Sequence, residues 1–170
     1  VNSLQIEPLH EDFGARITGL DLTGSLDDTQ IGAIQRAMDE YSLLVFPRQD
    51  MCDEAQLALT RRLGEPECNH IKFGATGEID YLGSVGNVID AHTKKGNDDP
   101  SVRHQTGNNL WHTDSSFRPV PSKFSINHAY EVPGEGGGTE YVSTRAAYER
   151  LAEDEQASLE SLLILHDYVF

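Results

Sequence analysis

The chain has 170 residues, a net charge of −15 and a pI of about 4.6. That length suffices for one domain with a sizeable core, and the acidity argues against nucleic acid and anionic membranes as partners, since both need a basic face. Cys52 and Cys68 are too few for a disulfide framework and lack zinc-site spacing, the N-terminus carries no leader pattern, and no apolar run is long enough to span a bilayer. A cytoplasmic protein is therefore expected.

Leu4 to Pro8 alternates apolar and polar residues and predicts a short strand ending at the proline. Ala15 to Leu22 predicts a second, with Gly19 as a bulge or bend. Ser25 offers a cap, and Ile31, Ile34, Met38 and Tyr41 then recur on one helical face. Leu43 to Phe46 reads as a buried strand stopped by Pro47. Asp53 opens a helix with Ala55, Leu59 and Leu63 inward and Gly64 closing it.

Ile79 to Val85 predicts another strand, and the polar stretch Asp90 to Thr106 a long loop, either a lid or a surface insertion. Strands are expected around residues 110–117, over Phe124 to Tyr130, and over Thr139 to Val142. The turn Val132 to Gly138 separates the last two; it is no phosphate loop, because no Lys-Ser/Thr pair and no helix follow directly. Ser143 or Thr144 caps a helix carrying Ala147, Tyr148 and Leu151, and Ala157 to Leu165 predicts one more. The mixture suggests an α+β protein built on a β-sandwich or jelly roll, as a single domain over 1–170.

The chemistry concentrates in Leu110-Trp111-His112-Thr113-Asp114. On a strand, residues two apart point to the same face, so His112 and Asp114 would make two-thirds of a facial metal site. Two His and one carboxylate with open positions opposite suit non-haem Fe(II) oxygenases. His-x-Asp alone is a weak signal and is often a surface pair. Trp111 and Thr113 should point away from the metal face, with Trp111 packed in the core.

Leu-Trp-His-Thr-Asp-Ser-Ser-Phe (110–117), Val-Pro-Gly-Glu-Gly-Gly-Gly-Thr-Glu (132–140) and Thr-Arg-Ala-Ala-Tyr-Glu-Arg-Leu (144–151) resemble the taurine/2,4-dichlorophenoxyacetate family of Fe(II)- and 2-oxoglutarate-dependent dioxygenases. Gly19-Leu-Asp-Leu, Leu44-Val-Phe-Pro and Leu63-Gly64-Glu65 fit as well, and Arg145-Ala-Ala-Tyr148 and Ile71-Lys72 favour the aryloxyalkanoate branch. The resemblance implies a double-stranded β-helix (jelly-roll) core with flanking helices. It implies that His112 and Asp114 bind Fe(II), and that Thr139 hydrogen-bonds a carboxylate of the cosubstrate 2-oxoglutarate. It places a second iron histidine and a 2-oxoglutarate arginine beyond Phe170, so that 1–170 is the N-terminal portion of the dioxygenase domain.

His70, Lys72 and Asn108 are the substrate-side candidates. Lys72 would supply the cation that an anionic substrate needs in so acidic a protein, although a loop lysine is commonly just solvated. The Asn108-Asn109 pair is explained equally well by turn chemistry. His128 lies on an expected strand and is a core or surface histidine before it is a ligand; for His166 a helix-end partner is the simpler reading. The activity implied is hydroxylation of an aryloxyalkanoate such as 2,4-dichlorophenoxyacetate next to its ether oxygen, using O2, with ascorbate as an aid to activity and a homo-oligomer as the expected state. The rival expectations are a sulfonate or alkyl-sulfate dioxygenase, a zinc hydrolase, and a non-catalytic cupin-like binding module.

Overall fold

The computed structural model describes residues 4–68, 81–83, 85–90 and 93–166. The chain divides into two compact units, one of residues 1–64 with 127–165 and the other of residues 65–126 with 166–170.

In the first unit, β1 (Gln5–Pro8) pairs antiparallel with β2 (Ala15–Thr18), which pairs parallel with β3 (Leu44–Val45). Pro8 ends β1, where its missing N–H costs no ladder bond. β2 is the middle strand, and its alternation buries Ala15 and Ile17 while Arg16 faces solvent. Gly19 turns the chain out of the strand at φ 84°, a conformation that favours glycine.

A parallel pair needs a crossover, and α1 (Asp28–Tyr41) supplies it. Its cap is Asp27 and not Ser25: the Asp27 carboxylate accepts from the Gln30 amide at 2.8 Å, and the Gln30 side chain accepts from the Asp27 amide at 2.9 Å. This reciprocal box satisfies two otherwise orphaned donors. Ile31, Ile34 and Ala37 are the buried face of α1. Ile31 and Ile34 join Leu20, Leu22, Leu26, Met51 and Leu59 in the core, and Ala37 packs with Ala15 and Ile17.

α2 (Asp53–Leu63) ends at Gly64, as its sequence predicts, but buries Gln56 and Leu57 along with Leu59. Arg62, in the last turn of α2, donates to the Leu26 carbonyl at 2.6 Å and to Asp28 at 2.7 Å, tying the end of α2 to the start of α1.

Two later helices also belong to this unit. α4 (Thr144–Glu149) is capped by Ser143, whose hydroxyl accepts from the Ala146 amide at 3.2 Å; Ala146 is its buried residue, while Ala147 and Tyr148 are exposed. The last turn of α1 carries no basic residue, and Arg145 brings one from a distance, donating to the Glu40 carbonyl at 3.3 Å. A cation there suits the negative end of the helix. α5 (Glu153–Leu159) starts four residues before the expected Ala157, because Glu155 accepts from the Ala152 amide at 3.0 Å and acidic residues fill its first turn.

In the second unit, β4 (Val88–Asp90) pairs antiparallel with β5 (Thr93–Lys94). α3 (Pro100–Gln105) then leads into a 3₁₀ turn over Thr106–Asn109. The expected loop over Asp90 to Thr106 is thus partly regular. Its overlooked signal was Asp99-Pro100, a cap followed by proline at the first helical position. Asp99 accepts from the Ser101 amide at 2.8 Å, and the Ser101 hydroxyl holds the Asp99 carboxyl below its usual range.

The strands expected over 110–117, 124–130 and 139–142 are not paired into ladders among the described residues, and neither are 81–83. Alternation proposes a strand, but a neighbouring backbone must complete it. Described helices include none long and apolar enough to cross a membrane.

Candidate metal centre

His112 follows the 3₁₀ turn, and Asp114 opens a turn that Arg118 closes by donating its amide to the Ser115 carbonyl at 3.0 Å. The two side chains meet through this turn and not along a strand, with His112 Nε2 3.4 Å from Asp114 Oδ1. Each partner has a second, local restraint. His112 Nδ1 lies 2.7 Å from the Leu110 carbonyl, and the Ser125 hydroxyl donates to Asp114 Oδ2 at 2.6 Å.

These contacts assign the ring. A carbonyl only accepts, so Nδ1 carries the proton that faces it. In the neutral imidazole Nε2 is then a lone pair, and it points at a carboxylate oxygen. Two acceptors 3.4 Å apart repel each other unless a cation lies with them, either a proton or a metal ion. The separation suits a metal: cis donors on bonds of about 2.1 Å stand roughly 3 Å apart. An Nδ1–H held by a carbonyl, and a carboxylate held by a hydroxyl, are the outer restraints that metal ligands characteristically have. Both side chains are about half exposed, at 46% and 56%, so an ion could enter from solvent. No third His, Cys, Asp or Glu completes the set among the described residues.

Thr139 is an exposed residue of the first unit, just past a turn in which Gly136 and Gly137 take φ of 73° and 68°. A Cβ on Gly137 would approach Pro133 Cγ to 2.9 Å, so this turn requires glycine both for conformation and for space. Asn108 lies in the 3₁₀ turn four residues before His112. His70 and Lys72 lie outside the described residues.

Trp111 corrects an expectation. It is 67% exposed and does not pack in a core, because residues 110–113 form no sheet face against which the ring could lie. His128 packs within the first unit. It contacts the Gln49 carbonyl at 3.1 Å through Nε2 and meets Tyr130 edge-on at 4.5 Å, beside a pocket of about 510 Å³ that Cys52 and Met51 also line. The Tyr130 hydroxyl donates to Asp53 in the first turn of α2, and that carboxylate pushes the phenol up to about 12. Sequence reasoning missed Ser125. Its only local signal is a polar residue alternating between Phe124 and Ile126.

The family described as "Taurine catabolism dioxygenase TauD, TfdA family" matches residues 5–170. The chain belongs to this family. It is 36% identical over 168 residues to the alpha-ketoglutarate-dependent 2,4-dichlorophenoxyacetate dioxygenase of Cupriavidus pinatubonensis, covering 96% of this chain and 58% of that protein. It is 37% identical over 164 residues to the (S)-phenoxypropionate/alpha-ketoglutarate-dioxygenase of Sphingobium herbicidovorans, covering 96% and 53%. The chain therefore spans little more than half the length of these curated relatives.

The crystal structure of AAD-2 in complex with Mn(II) and N-oxalylglycine superposes with a TM-score of 0.81 at 35% identity, over 93% of this chain and 53% of that one. The fold of this family member is thus the one found in that part of a metal-loaded relative.

Proposed function

We propose that the protein is an Fe(II)- and 2-oxoglutarate-dependent dioxygenase acting on an aryloxyalkanoate. The observation that carries this reading is His112 Nε2 standing 3.4 Å from Asp114 Oδ1, each side chain fixed from behind, in a chain of this family. The substrate class is supported by the two relatives whose names give 2,4-dichlorophenoxyacetate and (S)-phenoxypropionate. AAD-2 binds Mn(II) and N-oxalylglycine, which is 2-oxoglutarate with one methylene replaced by N–H, and this supports the assignment of cosubstrate.

In this reading His112 and Asp114 hold the iron from one side, and a second histidine beyond Phe170 completes the facial set. Bound iron with 2-oxoglutarate and O2 supplies oxidative decarboxylation to succinate and CO2, together with oxygen insertion at a substrate C–H bond. Leu110 keeps the proton of His112 on Nδ1, so the ligand nitrogen stays free. Ser125 occupies one oxygen of Asp114 and leaves the other for the ion.

Thr139 donates its hydroxyl to a carboxylate of 2-oxoglutarate, and an arginine beyond Phe170 takes the far carboxylate. Lys72, with His70 and Asn108, binds and orients the substrate carboxylate, which the net negative field would otherwise repel. Hydroxylation of the carbon next to the ether oxygen gives a hemiacetal-type product, which collapses to a phenol and a 2-oxo acid. The whole protein forms one jelly-roll dioxygenase domain with flanking helices and assembles as a homo-oligomer in the cytoplasm.

The test is product analysis on the full chain with Fe(II), 2-oxoglutarate and ascorbate. Phenol, succinate and CO2 should form together from 2,4-dichlorophenoxyacetate. Succinate release that depends on a sulfonate or alkyl sulfate, and not on an aryloxyalkanoate, would reassign the substrate. O2-independent turnover would indicate a hydrolase, and absence of any 2-oxoglutarate consumption a binding module.

A further inference from the structure

The turn that carries Asp114 is anchored at a residue far away in sequence. Glu67 gathers two serine hydroxyls and one guanidinium from residues 115–122. The Ser115 hydroxyl donates to Glu67 Oε1 at 2.9 Å, Arg118 Nε pairs with the same oxygen at 2.8 Å, and the Ser122 hydroxyl donates to Oε2. The two serine oxygens lie 3.2 Å apart, and Arg118 also donates to the Cys68 carbonyl at 3.3 Å. The Glu67 and Arg118 side chains are 29% and 28% exposed, so their ion pair is less screened by water than a fully exposed pair would be.

Ser115 shows what the anchor does. It directly follows Asp114 and takes φ 56°, the left-handed region that a residue with a Cβ adopts at a cost. Such a conformation persists when its surroundings hold it. Here the Ser115 hydroxyl is held by Glu67 and the Ser115 carbonyl by the Arg118 amide, while Arg118 is itself held by Glu67. The backbone that aims Asp114 at His112 is therefore set by one carboxylate.

We propose that Glu67 is a positioning residue for the metal centre, acting through Ser115, Ser122 and Arg118; this rests on the iron reading above. Without it, Ser115 can relax towards ordinary backbone angles, and the Asp114 oxygen loses its register with His112 Nε2.

The experiment is a Co(II) titration of the full chain, followed by visible absorption. Glu67→Ala should weaken Co(II) binding about tenfold, the low end of the range for removing a ligand's direct partner, because Glu67 acts one contact further out. It should also change the shape of the absorption bands, because the donor geometry changes. Glu67→Gln keeps an acceptor for the serines and should fall between Glu67→Ala and the wild type.

Wild-type affinity and band shape in Glu67→Ala would overturn the proposal, whatever its melting temperature. If Glu67→Ala does not fold, the double variant Ser115→Ala/Ser122→Ala, which leaves the Glu67–Arg118 pair in place, decides by the same two readouts. His112→Ala separates the two claims. If it loses Co(II) while Glu67→Ala retains it, only the positioning role fails. If it binds Co(II) like the wild type, the iron reading fails and the proposal falls with it.

Discussion

Ser125 and Leu110 determine what His112 and Asp114 can do. A histidine with Nδ1 tied to a carbonyl presents one lone pair in one direction, and an aspartate with one oxygen taken by a hydroxyl presents the other. Ser125→Ala should therefore weaken Fe(II) affinity by about 10–100-fold while leaving the melting temperature near that of the wild type, as read by anaerobic titration and thermal unfolding. Unchanged affinity would make the 2.6 Å bond incidental. Thr139 carries a separate expectation. Thr139→Val should raise the KM for 2-oxoglutarate by the loss of one hydrogen bond to a charged group, about 1.5–3 kcal/mol. An unchanged KM would leave Thr139 as an exposed residue after the glycine turn.

At the scale of elements, α1 and α2 were legible because their signals are local. Apolar spacing, first-turn carboxylates and the closing Gly64 all lie within the segment they specify. The cap of α1 was misread as Ser25 because Asp27 pairs with a glutamine side chain that only the folded turn brings back. Residues 110–117, 124–130 and 139–142 alternate as strands do but form no ladder among the described residues, since pairing is a property of two segments. His112 and Asp114 were nevertheless placed together, because two residues so close in sequence can converge from a turn as well as from a strand. Ser125 and Glu67 were out of reach, being 11 and 48 residues from the Asp114 and Ser115 they restrain.

The Tyr130–Asp53 contact carries a pH dependence. Hydrogen bonding to Asp53, with burial second, pushes its phenol up to about 12. A raised acid stabilises the fold in its protonated form. The contribution is therefore complete below the ordinary tyrosine value of about 10 and disappears as pH rises through about 12. Subtracting the phenolate absorbance titration of Tyr130→Phe from that of the wild type should leave a transition centred near 12. A difference centred in the ordinary range would show that the Asp53 bond is not kept in solution.

For the whole molecule, the net charge of −15 must be reconciled with the proposed aryloxyalkanoate and 2-oxoglutarate, both of them anions. A local cation is needed, and Lys72 is the substrate-side candidate. Lys72→Leu should raise the KM for an aryloxyacetate by roughly 10–100-fold, the equivalent of about 1.5–3 kcal/mol for a charge-assisted bond. The KM for 2-oxoglutarate should stay nearly constant, and more 2-oxoglutarate should be consumed per phenol formed, because a loosely held substrate is missed. Wild-type kinetics on every carboxylate tested would return Lys72 to a solvated surface role.

The expectations for Ser125, Thr139 and Lys72 depend on an ion binding at His112 and Asp114, and anaerobic Fe(II) binding measures that directly. The full chain should take up about one Fe(II), the number a single facial site holds. His112→Ala and Asp114→Ala should each abolish that binding while shifting the melting temperature little, since both side chains are about half exposed. Wild-type Fe(II) affinity in either variant would contradict the assignment of the pair as metal ligands.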